Sequence, residues 1–298
     1  MKVFVTGATG FIGTSLVREL LNRNHTVVAL ARSAESEKKI IALGQNIQIL
    51  RGSLKDLDVL RKGASEADCV AHLGFIRNYK NFAESCYIDR EATLAMLDSL
   101  KGSHKGFIYS NGTLVLERGK LGKETDIKKP SGVAAIRAET EDPALIYREK
   151  GVRVSIVRLA SIVHGKGDNA FVPALIDIAK KSGISGYIEV GQNALPAVAR
   201  DDAARLYQLV VEKGRAGGIY HGVAEQAVKT YDIAKAIGEL LDVPLVSIDS
   251  AKAQGHFDIL ADFFSANIPV SSGITRSELN WEPKEPELVD DICSDYRP

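Results

Sequence analysis

The chain has few of the residues that mark secreted, membrane or nucleic-acid-binding proteins. Among its 298 residues are three cysteines and one tryptophan. Cys69, Cys86 and Cys293 form no CxxC motif, which is typical of free thiols in a reducing compartment and predicts a cytoplasmic protein. No apolar run approaches the roughly 20 residues of a membrane span, and no signal peptide is expected before the first strand.

An excess of charge of one sign is also missing. The 38 basic residues are balanced by 38 acidic ones, so we expect neither a nucleic acid nor an anionic membrane as a partner. Hydrophobic residues make up 45% of the chain and charged residues 26%, which predicts a packed core. The partner we expect is a small molecule, bound by a monomer or a homodimer.

The apolar pattern predicts an α/β fold. Up to residue 160, apolar runs of four to seven residues alternate with longer segments of helical period, which is typical of a doubly wound, Rossmann-like parallel sheet. After about Gly165 the rhythm changes. We therefore predict a dinucleotide-binding domain over 1–165 and a smaller C-terminal α/β substrate lobe over 166–298, partly interleaved with the main sheet. One long helix is expected over 131–151, or two that meet at Asp142.

The strongest motif is TGATGFIG, between the first strand and the first helix. Gly7 permits a tight turn, Gly10 lets the backbone approach a pyrophosphate, and Gly13 lets helix and strand pack closely. A turn that needs glycine and binds nothing is the alternative. The residues expected to face a dinucleotide here are Gly7, Thr9, Gly10, Phe11, Ile12 and Gly13.

This loop resembles that of the short-chain dehydrogenase/reductase superfamily, in the extended or atypical branch that includes the NAD-dependent epimerase/dehydratase family. The resemblance covers nearly the whole chain. The segments that carry it after the loop are ADCVAHLG, GFIYSNGTLVL, RVSIVRLASIVHG and RDDAARL. It implies a nicotinamide cofactor and adds Ser53, Leu54, Leu73 and Gly74 to the expected cofactor contacts. Ser53 stands where family members often carry an aspartate near the adenine.

The tip of the second strand, ALARSAES, bears on the choice of cofactor. NAD enzymes place an acid here on the ribose 2′-hydroxyl, and this chain has Ala31. Arg32 and Ser33 follow and suit a 2′-phosphate, so we predict a preference for NADP(H). A solvated Arg32 remains an alternative, and an arginine stacked on adenine would leave NAD(H) possible.

The catalytic positions depart from the pattern that the resemblance implies. A tyrosine and a lysine are expected on the helix before the sixth strand, where this chain has Val133 and Arg137. The serine after the fifth strand is replaced by Gly112, or by Thr113 if the alignment shifts by one residue.

A Tyr-x-x-x-Lys spacing does occur in TYDIAK, at Tyr231 and Lys235, but only in the second lobe. There Thr230 is typical of an N-cap at the start of an amphipathic helix. We therefore interpret Tyr231 and Lys235 as structural neighbours on that helix.

A developing alkoxide could be held by Thr113, Asn111 and Arg137, of which Arg137 is also expected to contact the cofactor. Arginine does not readily give up a proton, so a water or His164 would supply it. A hydrogen bond from His164 to the backbone of a turn is the alternative.

His72 is predicted to be buried in a strand, and Phe75, Arg77, Phe171 and Arg200 are pocket-wall candidates. The remaining polar candidates are His221, Asp201 and Asp202. They lack the sequence spacing of metal ligands, so no metal is predicted.

These residues favour an oxidoreductase that reduces the carbonyl of a small aldehyde or ketone with NADPH. A sugar-nucleotide epimerase or dehydratase is a second hypothesis, which Val133 disfavours because that chemistry depends more on the tyrosine base. A non-catalytic NADP(H) sensor that binds a protein through its second lobe is a third.

Overall fold

The computed structural model describes residues 1–132 and 134–296. Val133, at the expected tyrosine position, lies outside them. The strands are β1 Lys2–Thr6, β2 Thr26–Ala31, β3 Ile47–Arg51, β4 Cys69–His72, β5 Gly106–Gly112, β6 Arg153–Leu159, β7 Ile162–His164, β8 Ser185–Ile188, β9 Ala194–Ala199, β10 Gly218–Gly222, β11 Glu225–Lys229 and β12 Leu245–Ile248. The helices are α1 Phe11–Asn22, α2 Ala34–Ile41, α3 Leu57–Ser65, α4 Phe82–Leu100, α5 Ala134–Ala138, α6 Glu141–Leu145, α7 Phe171–Ser182, α8 Arg200–Lys213, α9 Thr230–Leu241, α10 Ala253–Phe257, α11 Ala261–Phe264, α12 Gly273–Leu279 and α13 Leu288–Ser294.

A seven-stranded parallel sheet forms the centre of the molecule. Its order is β10-β6-β5-β4-β1-β2-β3, and all of its pairings are parallel. The order reverses between β1 and β4, and at such a point the carboxyl ends of the strands open a crevice for a ligand. The predicted doubly wound fold is confirmed.

Apolar side chains cover both faces of this sheet. Strands β1 and β4 are almost completely buried, as expected for parallel strands between two helical layers. One core lies on the side of α1 and α8, and the other contains residues of α3 and α4. The carboxyl ends of the strands are thereby held in fixed positions.

Residues after 165 contribute both to two smaller sheets and to the main sheet. Strands β11, β9 and β7 form a three-stranded sheet, and β12 pairs with β8. Strand β10, by contrast, extends the main sheet beside β6, and α8 packs against α1. The domain boundary at residue 165 stays a prediction. No helix of the described residues has the length and apolar character needed to cross a membrane.

Local boundaries differ from the sequence prediction at several points. The helix expected over 131–151 is divided into α5 and α6, and Thr140 rather than Asp142 precedes α6. Pro143 lies in the first turn of α6, where its missing N–H costs little. Lys229, not Thr230, occupies the N-cap position of α9, without a side-chain cap hydrogen bond. The buried Thr230 hydroxyl donates instead to Asn193 Oδ1 at 2.7 Å. The sequence analysis also missed β9, which begins at Ala194.

Candidate cofactor and active site

The glycine loop lies in close backbone contact with the segment that follows β4. Gly7 has φ +74°, and a Cβ on it would come within 2.8 Å of Gly74 N. A Cβ on Gly13 would lie 2.0 Å from the carbonyl oxygen of Gly7. Gly10 N donates to that same oxygen at 2.8 Å. Side chains at Gly7 and Gly13 would therefore disrupt the turn, as expected for a loop that carries a dinucleotide.

Helix α1 begins directly after this loop without a side-chain cap. Gly10 is its N-cap residue, no side chain bonds the first turn, and that turn holds no acidic residue. The first N–H groups of a helix have no acceptor within it, and the helix dipole favours an anion beside them. The residues that offer these groups, Phe11, Ile12 and Gly13, are thus suited to a pyrophosphate. The neighbouring Thr9 is exposed.

The end of β2 carries an exposed cation. Arg32 is exposed, and within the described part of the chain it has no ion-pair or hydrogen-bond partner. Ser33 is the N-cap of α2, and its hydroxyl accepts from Ser36 N at 3.2 Å. The two glutamates in that first turn are engaged elsewhere, Glu35 with Lys39 and Glu37 with Arg51. The charge of Arg32 is therefore available to a ligand.

The end of β3 holds the other residues expected near adenine. Ser53 donates through both its N–H and its hydroxyl to Asp56 Oδ2, at 2.7 and 2.8 Å. Its side chain thus stabilises a turn. Leu54 is buried, and its side chain lies next to Gly74. Leu73 is partly buried against the core.

Arg137 lies at the carboxyl end of β5. Its guanidinium lies over the ring of Phe75 at 4.1 Å and donates to the carbonyl oxygen of Ser110 at 3.1 Å. This stacking orients a planar cation next to the strand that precedes Gly112 and Thr113. The heavy atom nearest to a Cβ built on Gly112 would lie 3.9 Å from it. There is therefore room for a side chain at the expected serine position.

Thr113 and Asn111, the polar residues on either side of Gly112, have different contacts. Thr113 is fully buried, with Oγ1 3.4 Å from Ser161 Oγ. Asn111 donates to Glu141 Oε1 at 2.8 Å and accepts from Gly112 N at 2.9 Å. Glu141 is in turn paired with Arg158 at 2.8 Å. The amide of Asn111 thus belongs to a buried ionic cluster rather than projecting toward Arg137.

His164 is completely buried with two carboxylates. Its Nδ1 contacts Asp291 and its Nε2 lies 3.8 Å from Glu225. Burial lowers the pKa of His164 despite these neighbours. The contacts of His164 therefore lie with α13 and β11, in the second lobe.

Of the pocket-wall candidates, Arg200 approaches the glycine loop. It lies over the ring of Phe11 at 5.4 Å and donates to the carbonyl oxygen of Lys166 at 2.6 Å. Arg77 donates to Asn169 Oδ1 at 3.0 Å, which joins the segment after β4 to the segment before α7. Phe171 packs instead on Phe263, at 4.4 Å between ring centroids.

The TYDIAK pair lies on α9. Tyr231 meets the ring of Tyr187 edge-on at 5.1 Å, and Lys235 faces Glu239 at 3.8 Å. Asp201 and Asp202 also have structural contacts, with Ser15 and with the backbone near the C-terminus. His221 is buried and faces the backbone of Ser271. In the described ranges no three His, Cys, Asp or Glu residues form a metal cluster.

Sequence reasoning missed the buried pair of Asp89 and Tyr109. Tyr109 donates to Asp89 Oδ2 at 2.7 Å, and both are buried. Tyr109 lies in register with His72 on the neighbouring strand. Polar side chains in register on two otherwise apolar strands are the signal that could have indicated this cluster.

Comparison with known proteins identifies the family. The model of the NAD dependent epimerase/dehydratase family matches residues 3–222. The chain belongs to this family. Two similar proteins are uncharacterized proteins of yeasts. YLL056C of Saccharomyces cerevisiae is 52% identical over 297 residues, and C2A9.02 of Schizosaccharomyces pombe is 43% identical over 296 residues. In both cases 99% of this chain and 99% of the relative are covered.

More distant relatives of this epimerase/dehydratase-family chain have described activities. The 2-alkyl-3-oxoalkanoate reductase of Stenotrophomonas maltophilia is 26% identical over 238 residues, covering 75% of this chain and 69% of that protein. The solved dTDP-glucose 4,6-dehydratase DesIV of Streptomyces venezuelae is 19% identical with a TM-score of 0.79, covering 98% and 95%. That likeness shows the shared fold.

Proposed function

We propose that this chain is an NADP(H)-dependent oxidoreductase that reduces the carbonyl group of a small aldehyde or ketone. The observation that carries the proposal is the stacked guanidinium of Arg137 at the carboxyl end of β5. A fixed cation there can stabilise negative charge on a carbonyl oxygen. The glycine loop leads a dinucleotide toward the same edge of the sheet.

The cofactor preference rests on Arg32. Its exposed charge at the start of α2 suits a 2′-phosphate, and Ala31 offers no carboxylate to a ribose 2′-hydroxyl. A Cβ on Gly7, Gly10 or Gly13 would come within 3.0 Å of a backbone atom, so these glycines permit the tight turn that a pyrophosphate-binding loop requires. Family membership supports the dinucleotide, whereas the 2′-phosphate rests on the charge of Arg32.

A bound reduced nicotinamide supplies the hydride for such a reduction. The task left to the chain is to hold the substrate oxygen as it becomes an alkoxide. Arg137 contributes a full positive charge and Thr113 a hydroxyl. Arg137 keeps its own proton: burial lowers its pKa, but the contributions of Asp89, Tyr109 and Cys86 together raise it further, so the net shift is upward. A water molecule at the cleft therefore delivers the proton in this proposal, and His164 is not used.

Reductases and an epimerase both occur among the distant relatives, so the preference for reduction rests on Val133. Besides the oxoalkanoate reductase, the 4-hydroxy-2-methyl-3-oxo-4-farnesyl-3,4-dihydroquinoline-1-oxide ketoreductase of Stigmatella aurantiaca is 25% identical over 230 residues. The UDP-glucose 4-epimerase of Neisseria meningitidis serogroup C is similarly distant, at 26%. The epimerase chemistry depends more on the tyrosine, which this chain replaces by Val133.

The test is turnover of NADPH over a panel of small aldehydes and ketones. Arg137→Met and Thr113→Val each remove one group from the alkoxide site, and loss of one such group costs about 10²- to 10³-fold in kcat. Tyr231→Phe is the matched control. It removes only a hydroxyl from α9, so its kcat should stay within about threefold of the parent, well short of the loss of an oxyanion donor.

Three outcomes would contradict the proposal. Conversion of a nucleotide sugar without net oxidation of the nicotinamide would indicate an epimerase. Tight NADPH binding without turnover of any carbonyl compound would favour the sensor hypothesis. Loss of activity in Tyr231→Phe, with Arg137→Met and Thr113→Val unaffected, would place the catalytic group on α9.

A further inference from the structure

A buried carboxylate at the start of α6 joins β5 to β6 near their carboxyl ends. Glu141 Oε1 accepts from Asn111 Nδ2 at 2.8 Å and from Arg158 Nε at 3.2 Å. Its Oε2 accepts from Arg158 Nη2 at 2.8 Å. Asn111 and Arg158 are register partners on the two strands. Glu141 is 0% exposed, Arg158 2% and Asn111 5%, so solvent does not compete for these hydrogen bonds.

The side chain of Asn111 connects this carboxylate to the turn after β5. Its Oδ1 accepts from Gly112 N at 2.9 Å while its Nδ2 donates to Glu141, so both ends of the amide are engaged. Thr113 follows Gly112 directly and is fully buried. Because Glu141 fixes the rotamer of Asn111, it also restrains the backbone that carries the Thr113 hydroxyl.

The same end of β5 has a second contact with the segment that contains Glu141. Arg137 Nη2 donates to the carbonyl oxygen of Ser110 at 3.1 Å, and Ser110 is the neighbour of Asn111. Arg137 and Glu141 lie four residues apart in the chain, and they bind successive residues of β5. The two contacts hold the segment that carries Arg137 against the strand that leads to Thr113.

We propose that Glu141 is a positioning residue for the alkoxide site. Through Asn111 it holds the turn of Thr113 in a fixed position relative to Arg137, and it does not itself contact the substrate. This assignment rests on the proposed function. It also gives Asn111 a role other than the one expected from the sequence, because Asn111 then acts on the turn of Thr113 and not on the substrate oxygen.

An exchange of the amide and the carboxylate tests this contact. Asn111→Asp places a second carboxylate opposite Glu141, and Glu141→Gln removes the charge that Asn111 and Arg158 share. Each single variant should lower kcat for a carbonyl substrate about 10- to 100-fold, since a displacement of about 1 Å at a catalytic group has an effect of this size. The double variant again has one amide opposite one carboxylate beside Arg158, so kcat should recover to within about fivefold of the parent.

Glu124→Gln is the matched control. Glu124 is another buried carboxylate, and it accepts from Thr275 N and Thr275 Oγ1, both at 2.8 Å. Its substitution should lower Tm, because a buried acceptor loses its charge, while kcat stays unchanged. NADPH affinity, read from nicotinamide fluorescence, should be retained in all these variants, since none of them alters the glycine loop. A loss of NADPH affinity in parallel with kcat would show a general disruption of the fold and would overturn the inference.

The double variant decides between two roles of Asn111. Recovery of kcat supports the positioning role of Glu141, whereas losses that multiply in the double variant would overturn it and would indicate that Asn111 contacts the substrate itself. If Asn111→Asp does not fold, Asn111→Ala replaces it, because Glu141 then keeps its pair with Arg158. Glu141→Gln should lower kcat less in the Asn111→Ala background than in the parent, and equal losses in the two backgrounds would contradict the inference.

The activity of the parent separates this inference from the proposed function. An active parent without recovery in the double variant would reject the role of Glu141 and leave the proposed function intact. A parent that turns over no carbonyl compound would reject the proposed function, and the positioning role of Glu141 with it.

Discussion

At the scale of single residues, the proposed function depends on two arginines at positions where the family pattern is expected to have other groups. Arg137 occupies the expected lysine position, and its planar guanidinium stacks on Phe75, which an ammonium group cannot do equally well. Arg32 follows Ala31, where an NAD enzyme would carry an acid. Each replacement changes the ligand that the position can recognise.

Arg32→Ala tests the cofactor preference. A charge-assisted contact with a phosphate contributes about 1.5–3 kcal/mol, so NADPH affinity should fall roughly ten- to hundredfold. NADH affinity should change little, since NADH has no 2′-phosphate. Titration of nicotinamide fluorescence with both cofactors measures the two constants.

Arg61→Ala is the control for that titration, because Arg61 is an exposed arginine on α3 that pairs with Asp58. It should leave both affinities unchanged. An equal loss of NADPH and NADH affinity in Arg32→Ala would show that Arg32 stacks on the adenine or acts through the loop, not through a 2′-phosphate.

At the scale of elements, α1 depends on its contact with the glycine loop. A Cβ on Gly13 would lie 2.0 Å from Gly7 O, a backbone atom that cannot turn away. Gly13→Ala should therefore displace the start of α1, lower the free energy of unfolding by about 1–3 kcal/mol and weaken NADPH binding. Urea unfolding and fluorescence titration measure the two effects.

Gly255→Ala is a matched control in a helix. No heavy atom lies within 4 Å of a Cβ built on Gly255, so this alanine should be neutral or stabilise by up to about 1 kcal/mol. If Gly13→Ala behaved like Gly255→Ala, the close packing of α1 on the loop would not be a requirement of the site.

The main elements could be predicted from the sequence because their signals are local. The glycine loop between β1 and α1 and the apolar runs of the parallel strands need no tertiary information. Thr230 was predicted as the N-cap of α9 but is its first helical residue, and its hydroxyl bonds Asn193, 37 residues earlier. The preference of threonine for the N-cap position was overridden by a hydrogen-bond partner that only the folded chain brings near.

At the scale of the whole molecule, long-range contacts explain the remaining differences between the sequence prediction and the structure. Asn111 was expected beside the alkoxide, but its amide donates to Glu141, 30 residues away, in a buried cluster with Arg158. Asp89 was missed because its partners come from two strands, at His72 and Tyr109. Long-range pairing of this kind leaves no periodic signal in the chain.

The C-terminal segment is joined to the main body by a second buried cluster. Asp291 on α13 contacts His164, and Glu225 accepts from Leu288 N at 2.8 Å. Tyr296 accepts from Gly165 N at 3.1 Å and donates to Asp168. Unfolding of this region should therefore depend on the protonation of its carboxyl groups.

Glu225→Gln tests that dependence. Burial raises the pKa of Glu225 from 4.5 to about 7, so between these values the unfolded chain is ionised while the folded protein retains the proton. The parent should lose stability relative to Glu225→Gln as pH rises from 4.5 to 7, by at most about 3 kcal/mol. Urea unfolding of both proteins from pH 4.5 to 8 measures the difference. Asp262→Asn is the control: the hydrogen bond from Arg118 lowers the pKa of Asp262 from 3.8, so its stabilisation is complete above pH 4.5 and the difference from the parent should not change over this pH range. A difference between parent and Glu225→Gln that is independent of pH would show that Glu225 ionises normally in the folded protein.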